Sequence, residues 1–217
     1  MAIFTIVKPR QIKKMTKAQL IKRDGKEFLR IGNIEYDTNG DINLSGIKSL
    51  IELPDGLRVN GSFFLNNCSN LIKLPENLYV QNTLNLGLCT SLISLPEGLH
   101  VGKNLFLKKC TSLISLPKSL YVGEDLNLEG CTSLINFSLG YIKGTLNLGG
   151  CTSLIKLPES LYVHNTLILE GCTNLISLPE SLHVGRYIYL TGCTKLFTPP
   201  KGLKVKNIII ELEKSNR

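Results

Sequence analysis

From residue 41 onward, apolar positions return in a fixed order. A typical copy reads C-T-S-L-I-x-L-P-x-x-L-x-V-x-x-x-L-x-L-x-x, opening at Cys68, Cys89, Cys110, Cys131, Cys151, Cys172 and Cys193. The period is 21 residues, but the copy over 131–150 is one residue short and lacks the Leu-Pro pair. An earlier copy over 47–67 begins on Ile47 in place of cysteine, and the last, over 193–213, is worn at both ends. Each copy holds two short alternating pieces, such as Leu99-His100-Val101 and Leu105-Phe106-Leu107. Alternation with period two predicts strands whose leucines point one way. A Gly or Asn soon after the valine (Gly61, Asn82, Gly102, Gly123, Gly144, Asn165, Gly185, Asn207) predicts a corner with positive φ. Leu-Pro stops any helix and fixes the path of the chain on the far side.

A single copy cannot bury its own leucines, whereas stacked copies share walls. The pattern therefore predicts a repeat solenoid with a parallel β-sheet, short strands and few helices. A three-residue loop such as Gly102-Lys103-Asn104 could instead close a hairpin, but chained hairpins of such short strands are weak. Three segments follow: a cap over 1–40, a solenoid of about eight copies over 41–213, and a tail over 214–217. Within the cap, Thr16-Lys17-Ala18-Gln19 fits a capping box and Asp24-Gly25 ends the run, predicting a short helix over 17–23. The following residues read as strands around an Asn39-Gly40 turn. Such a cap would cover the open apolar end of the stack.

The outward positions of the two strands form two columns. Within Leu-x-Leu the column reads Asn43, Phe64, Asn85, Phe106, Asn127, Asn147, Ile168, Tyr189 and Ile209, with Tyr187 nearby. Its aromatic and aliphatic members exceed what a solvated face requires, which is a mark of protein contact. The competing reading is packing between rungs. Within Leu-x-Val the column reads Arg58, Tyr79, His100, Tyr121, Tyr141, Tyr162, His183 and Lys204. Rings stacked on a ladder stabilise it, and the same stripe offers polar tips to a partner. Histidines there would make such binding pH-sensitive.

The cysteines share one column as well. Disulfides fit poorly, because parallel ladder side chains keep their Cβ atoms too far apart and seven is an odd number. Zinc needs ligands that converge, which a straight column does not provide. A nucleophilic thiol needs an adjacent base, and His100, His164 and His183 lie elsewhere on the rung. The remaining reading is a small buried plug at a bend, with Thr and Ser beside it bonding the backbone. Seven free thiols suit a reducing compartment.

Charge alters the picture at one end only. The 217 residues carry a net charge of +8, and residues 1–30 hold nine basic and two acidic side chains. That segment could meet a phosphate backbone or an anionic membrane, or be a solvated lysine-rich face; no aromatic residues interleave to stack bases. No apolar run is long enough to cross a bilayer as a helix, and the opening residues have no basic segment or cleavage site of a secretory signal. No phosphate-cradling glycine motif, zinc-protease motif or paired carboxylates at fixed positions occur, so no cofactor, metal or catalytic residue is expected and the chain reads as non-enzymatic.

The run L-x-L-x-x-C-x-x-L followed by Leu-Pro resembles a leucine-rich repeat over about 41–213. "LNLEGCTSLINF" and "LPESL" are similar to cysteine-type repeats of plant immune receptors, and "LPEGLHV" to short repeats of bacterial effectors and phage-borne proteins. The copies are shorter than the plant type, and no ligase domain of the kind that follows the repeats in some effectors is present in the sequence. The resemblance implies a concave sheet at the Leu-x-Leu column that binds a protein, a host protein if the effector likeness holds. It further implies a place in bacterial cytoplasm or host cytosol. The expected oligomeric state is a monomer. Two other readings stay open: a basic cap docking on membrane or nucleic acid, and a scaffold fragment of a larger enzyme.

Overall fold

The computed structural model describes residues 18–196 and the backbone of 204–209. Its body is a parallel β-solenoid. The main ladder follows the second alternating piece of each copy: Ile42–Asn43, Phe63–Phe64, Leu84–Asn85, Leu105–Phe106, Leu126–Asn127, Leu146–Asn147, Leu167–Ile168, then the end of His183–Tyr189, then Lys204–Ile209. Every neighbouring pair is parallel and in register with the repeat, as in Leu84↔Leu105 and Leu105↔Leu126, save that the last, between His183–Tyr189 and Lys204–Ile209, shifts register between Val184 and Tyr187. Equivalent atoms of successive copies thus lie beside each other, and side-chain identity repeats up the stack.

The interior is leucine layered on leucine. Leu84 and Leu86 of one copy are fully buried, and so are Leu92, Leu99, Leu105 and Leu107 of the next. The core is one continuous cluster from the first hairpin to Leu190. It is built by alternation: on each short strand the leucines turn inward and the residue between them turns out.

Two features of the corners differ from expectation. The glycines after the valine do not have positive φ. The left-handed residue instead immediately precedes each cysteine or its equivalent: Gly46, Asn67, Leu88, Lys109, Gly130, Gly150, Gly171 and Gly192. Glycine after the valine serves close approach of the rungs. A Cβ on Gly102 would lie 2.0 Å from the Gln81 carbonyl oxygen, and one on Gly123 1.9 Å from that of Gly102.

The first described residues form an antiparallel sheet of β1 (Ala18–Arg23), β2 (Lys26–Ile31) and β3 (Ile34–Asp37). The helix expected over 17–23 is thus a strand where it is described; Thr16 and Lys17 lie outside the described residues. The cause is Asp24-Gly25, with φ of 50° and 72°: it is a two-residue hairpin turn that folds β1 onto β2, not a helix stop. Asn39-Gly40, in contrast, closes no antiparallel pair. Past it the chain enters the main ladder, where Ile42 pairs with Phe63. Leu29, Ile31 and Tyr36 of the small sheet are buried in the same core as the repeats, and Asn60 N–H donates to the Thr38 carbonyl at 2.8 Å. Most of the basic N-terminal cluster and the tail over 214–217 lie outside the described residues.

Candidate functional site

Parallel register turns the Leu-x-Leu residues into a line. Phe64 pairs with Asn85, Asn85 with Phe106, Phe106 with Asn127, Asn127 with Asn147, Asn147 with Ile168, and Ile168 with Tyr189. All of these are partly exposed, and Asn43 more so. Ile209 continues the backbone ladder opposite Tyr189.

The column has two kinds of member. The asparagines are tied down: the Oδ1 atoms of Asn43, Asn85, Asn127 and Asn147 accept the N–H of the residue two positions on, at 2.9–3.0 Å. Each therefore shapes its own corner, an Asx turn that a local side chain closes without help from the stack. Phe64, Phe106, Ile168 and Tyr189 have no such duty and lay apolar surface along the same line. Tyr187 stands to the side, at the corner position held by Thr145 and Thr166 in preceding copies, and tilts against Tyr189 at 6.3 Å.

The Leu-x-Val column is a stack of rings. The Arg58 guanidinium lies 4.1 Å from the Tyr79 ring, Tyr79 stacks on His100 at 4.9 Å, and His100 on Tyr121 at 4.4 Å. A second stack runs from Tyr141 to Tyr162 at 5.5 Å and on to His183 at 4.3 Å. The stacks do not join. The strands at 58–59, 79–80, 100–101 and 121–122 form their own four-stranded sheet, separate from those at 141–142 and 162–163. The short copy over 131–150 is the cause. It has Phe137-Ser138 where other copies have Leu-Pro, and Tyr121 and Tyr141 on either side of the break are 53% and 59% exposed. Beneath the break Phe137, Ser138, Lys156 and Glu159 line a shallow groove of about 320 Å³.

The cysteines are plugs. All seven are free; six are buried and Cys193 is half-buried. Each Sγ donates to a leucine carbonyl of the preceding rung at 3.1–3.2 Å, as Cys89 does to Leu65 and Cys110 to Leu86. Burial pushes the thiols up, to about 11 at Cys68 and about 12 at Cys89, Cys131 and Cys172; Cys110 and Cys151 rise further. A thiol held protonated is a poor nucleophile. Among the described residues no three His, Cys, Asp or Glu side chains gather as a metal site would require.

At the N-terminal end, Lys22, Lys26, Glu27 and Arg58 line a groove of about 290 Å³ between the small sheet and the first rung, with Lys22 3.8 Å from Glu27. The other described arginines of that end are paired. Arg23 and Arg30 both donate to Glu35, at 3.0 Å and 2.6 Å, and the Arg30 hydrogen bond leads in lowering the Glu35 pKa.

A third column was missed by sequence reasoning. Ile72, Ile93, Ile114, Ile135, Ile155 and Ile176 are each between 42% and 51% exposed. Their backbones also form a ladder: Ile114 N–H donates to the Ile93 carbonyl at 3.1 Å and Ile135 to Ile114 at 3.2 Å. The signal was present as Leu-Ile in every copy from Leu50-Ile51 to Leu175-Ile176. Consecutive residues of an extended segment cannot both face the core, so if the leucine is buried the isoleucine is not.

Compared with known proteins, the chain matches no family model, and no curated protein and no solved structure shows significant similarity to it.

Proposed function

We propose that this protein is a non-enzymatic binding module of the leucine-rich-repeat kind, which captures a protein partner on the outward column of its main ladder. The observation that carries this reading is the chemistry of that column. Its asparagines are engaged in their own corners, yet Phe64, Phe106, Ile168 and Tyr189 present apolar surface that the core does not need. A hydrogen-bonded parallel sheet is preformed, so a partner is bound with little reorganisation of this side. The aromatic members are the residue types that dominate binding energy in protein interfaces. The ring stripe from Tyr79 to His183 is mostly engaged in stacking, which favours a structural role for it and leaves Tyr121 and Tyr141 as its accessible members. The likeness to bacterial effector repeats supports a host protein as partner, and seven free thiols, six of them buried, suit a reducing cytosol, bacterial or host.

The test is capture of partners by the full chain at constant salt, comparing the parent with a Phe106→Ala/Tyr189→Ala variant of unchanged circular dichroism. Loss of at least tenfold in affinity for any partner captured supports the reading; identical capture removes it. The groove flanked by Lys22, Lys26 and Arg58 favours one rival, a basic end that docks on phosphate. That rival predicts binding that falls steeply with salt and is indifferent to Phe106.

A further inference from the structure

The isoleucine column lies on a different part of the rung from the proposed partner face, and it has its own geometry. Ile72, Ile93, Ile114, Ile135, Ile155 and Ile176 are identical side chains at identical intervals, joined by backbone hydrogen bonds, each about half exposed. From these observations we infer that the column is the seam of a homodimer, in which two copies of this chain pack their isoleucine columns antiparallel.

Three arguments select a second copy as the occupant. The first is self-complementarity. A column of one repeated residue presents the same bumps and hollows to itself after a twofold rotation, so identical columns interdigitate as in a dry steric zipper. The second is area. A half-exposed isoleucine offers roughly 80 Å², so six offer about 500 Å² per copy and a pair about 1,000 Å², the threshold for a specific interface.

The third is charge. The residues two before the isoleucines are Asn70, Ser91, Ser112, Ser133, Ser153 and Asn174, all neutral. The residues just after include two lysines, Lys73 and Lys156. Antiparallel pairing sets Ile72 against Ile176, Ile93 against Ile155 and Ile114 against Ile135. Lys73 then meets Ser177 of the second copy, and Lys156 meets its Ser94. The charges therefore permit this twofold arrangement, in which no lysine is set against another. The inferred dimer differs from the monomer expected from the sequence.

Sedimentation equilibrium of the full chain tests it. The parent should associate as a dimer with a dissociation constant on the order of 10–100 μM, as suits an interface at the lower size limit. Ile114→Lys/Ile135→Lys should be monomeric with an unchanged circular dichroism spectrum, since both side chains are surface-exposed, while Phe106→Ala should dimerise like the parent. Ser177→Glu, made in a Lys156→Ser background because Lys156 is its ladder neighbour in the same chain and compared with that background alone, adds no charge to the core and probes orientation without removing apolar surface. It faces Lys73 in the antiparallel seam and should tighten the dimer about two- to fivefold at low salt. A parent that stays monomeric up to about 0.5 mM overturns the inference, as does a dimer that survives the double lysine variant. Ser177→Glu that weakens the dimer or leaves it unchanged overturns the antiparallel seam. None of these outcomes touches the partner face, which is tested through Phe106 and Tyr189.

Discussion

At the scale of single residues, the repeat fixes a conformation before it fixes a side chain. The position before each cysteine is left-handed in every copy from Gly46 to Gly192, and five of the eight copies use glycine there. Leu88, at φ 63° and 44% exposed, is the apolar residue among the three non-glycine ones. Holding a non-glycine residue in that region costs about 1–2 kcal/mol, and glycine returns about 0.5–1 kcal/mol of that through unfolded-chain entropy. Leu88→Gly should therefore stabilise the fold by about 0.5–1 kcal/mol, read as a higher urea midpoint at unchanged m-value. The cysteine column makes a second residue-scale prediction. Its thiols titrate near 9 when unfolded and at about 11–12 when folded at Cys68, Cys89, Cys131 and Cys172. The folded chain thus holds protons that the unfolded chain releases. Stability from this source is complete below about pH 8.5 and is lost as pH rises through the folded values, at up to about 1.4 kcal/mol per thiol per pH unit. Urea unfolding between pH 7 and 10.5 should show that decline, and Cys110→Val should make it shallower.

At the scale of elements, the distance between rungs sets what a corner tolerates. Gly123 packs so that a Cβ would sit 1.9 Å from the backbone oxygen of Gly102, which no rotamer change relieves. Gly123→Ala should destabilise by about 1–3 kcal/mol, whereas Gly56→Ala meets open space and suffers only from its φ of 76°. Melting curves of the two variants separate crowding from backbone strain. The same contrast explains what the sequence could and could not tell. Period-two leucines named the strands, and the 21-residue recurrence named the parallel stacking, because both follow from local alternation and translation. The glycine at 123 was visible, but its reason was not, since close approach between rungs is a property of the stack. The strand at Ala18–Arg23 was misread because capping-box letters and an Asp-Gly pair serve helix ends and hairpin turns alike; only pairing with β2 distinguishes them. Of the candidate site, the order of Phe64, Phe106, Ile168 and Tyr189 was legible, while the tethering of Asn85 and Asn127 and the exposure of Ile93 and Ile114 depend on how the corner bends.

At the scale of the whole molecule, the copies are interchangeable only in whole units. Each rung touches the rung before and the rung after, so removing one complete period should leave the remaining contacts in register. Deleting residues 90–110 joins Cys89 directly to Thr111, and the chain still reads Cys-Thr-Ser-Leu-Ile across the join. Leu86 then leads into Leu113 as it formerly led into Leu92, and the cysteine at the join finds the Leu65 carbonyl unchanged. The shortened chain should fold with one cooperative transition, a β-rich spectrum and a urea m-value lower by about a tenth, in proportion to the surface lost. Deleting 90–100 removes about half a period and attaches Cys89 to Val101 instead. Every later leucine is then out of register with the rungs below it, and the spectrum should collapse or the midpoint fall by several kcal/mol. Equal behaviour of the two deletions would mean that the stack is not held together by register between neighbours. The whole-period deletion also removes Phe106 and Ile93 while leaving Asn85 beside Asn127 and Ile72 beside Ile114. It therefore shortens both outward columns by one step without breaking either, and a partner that needs the full length of a column should bind it more weakly than one that needs only its centre.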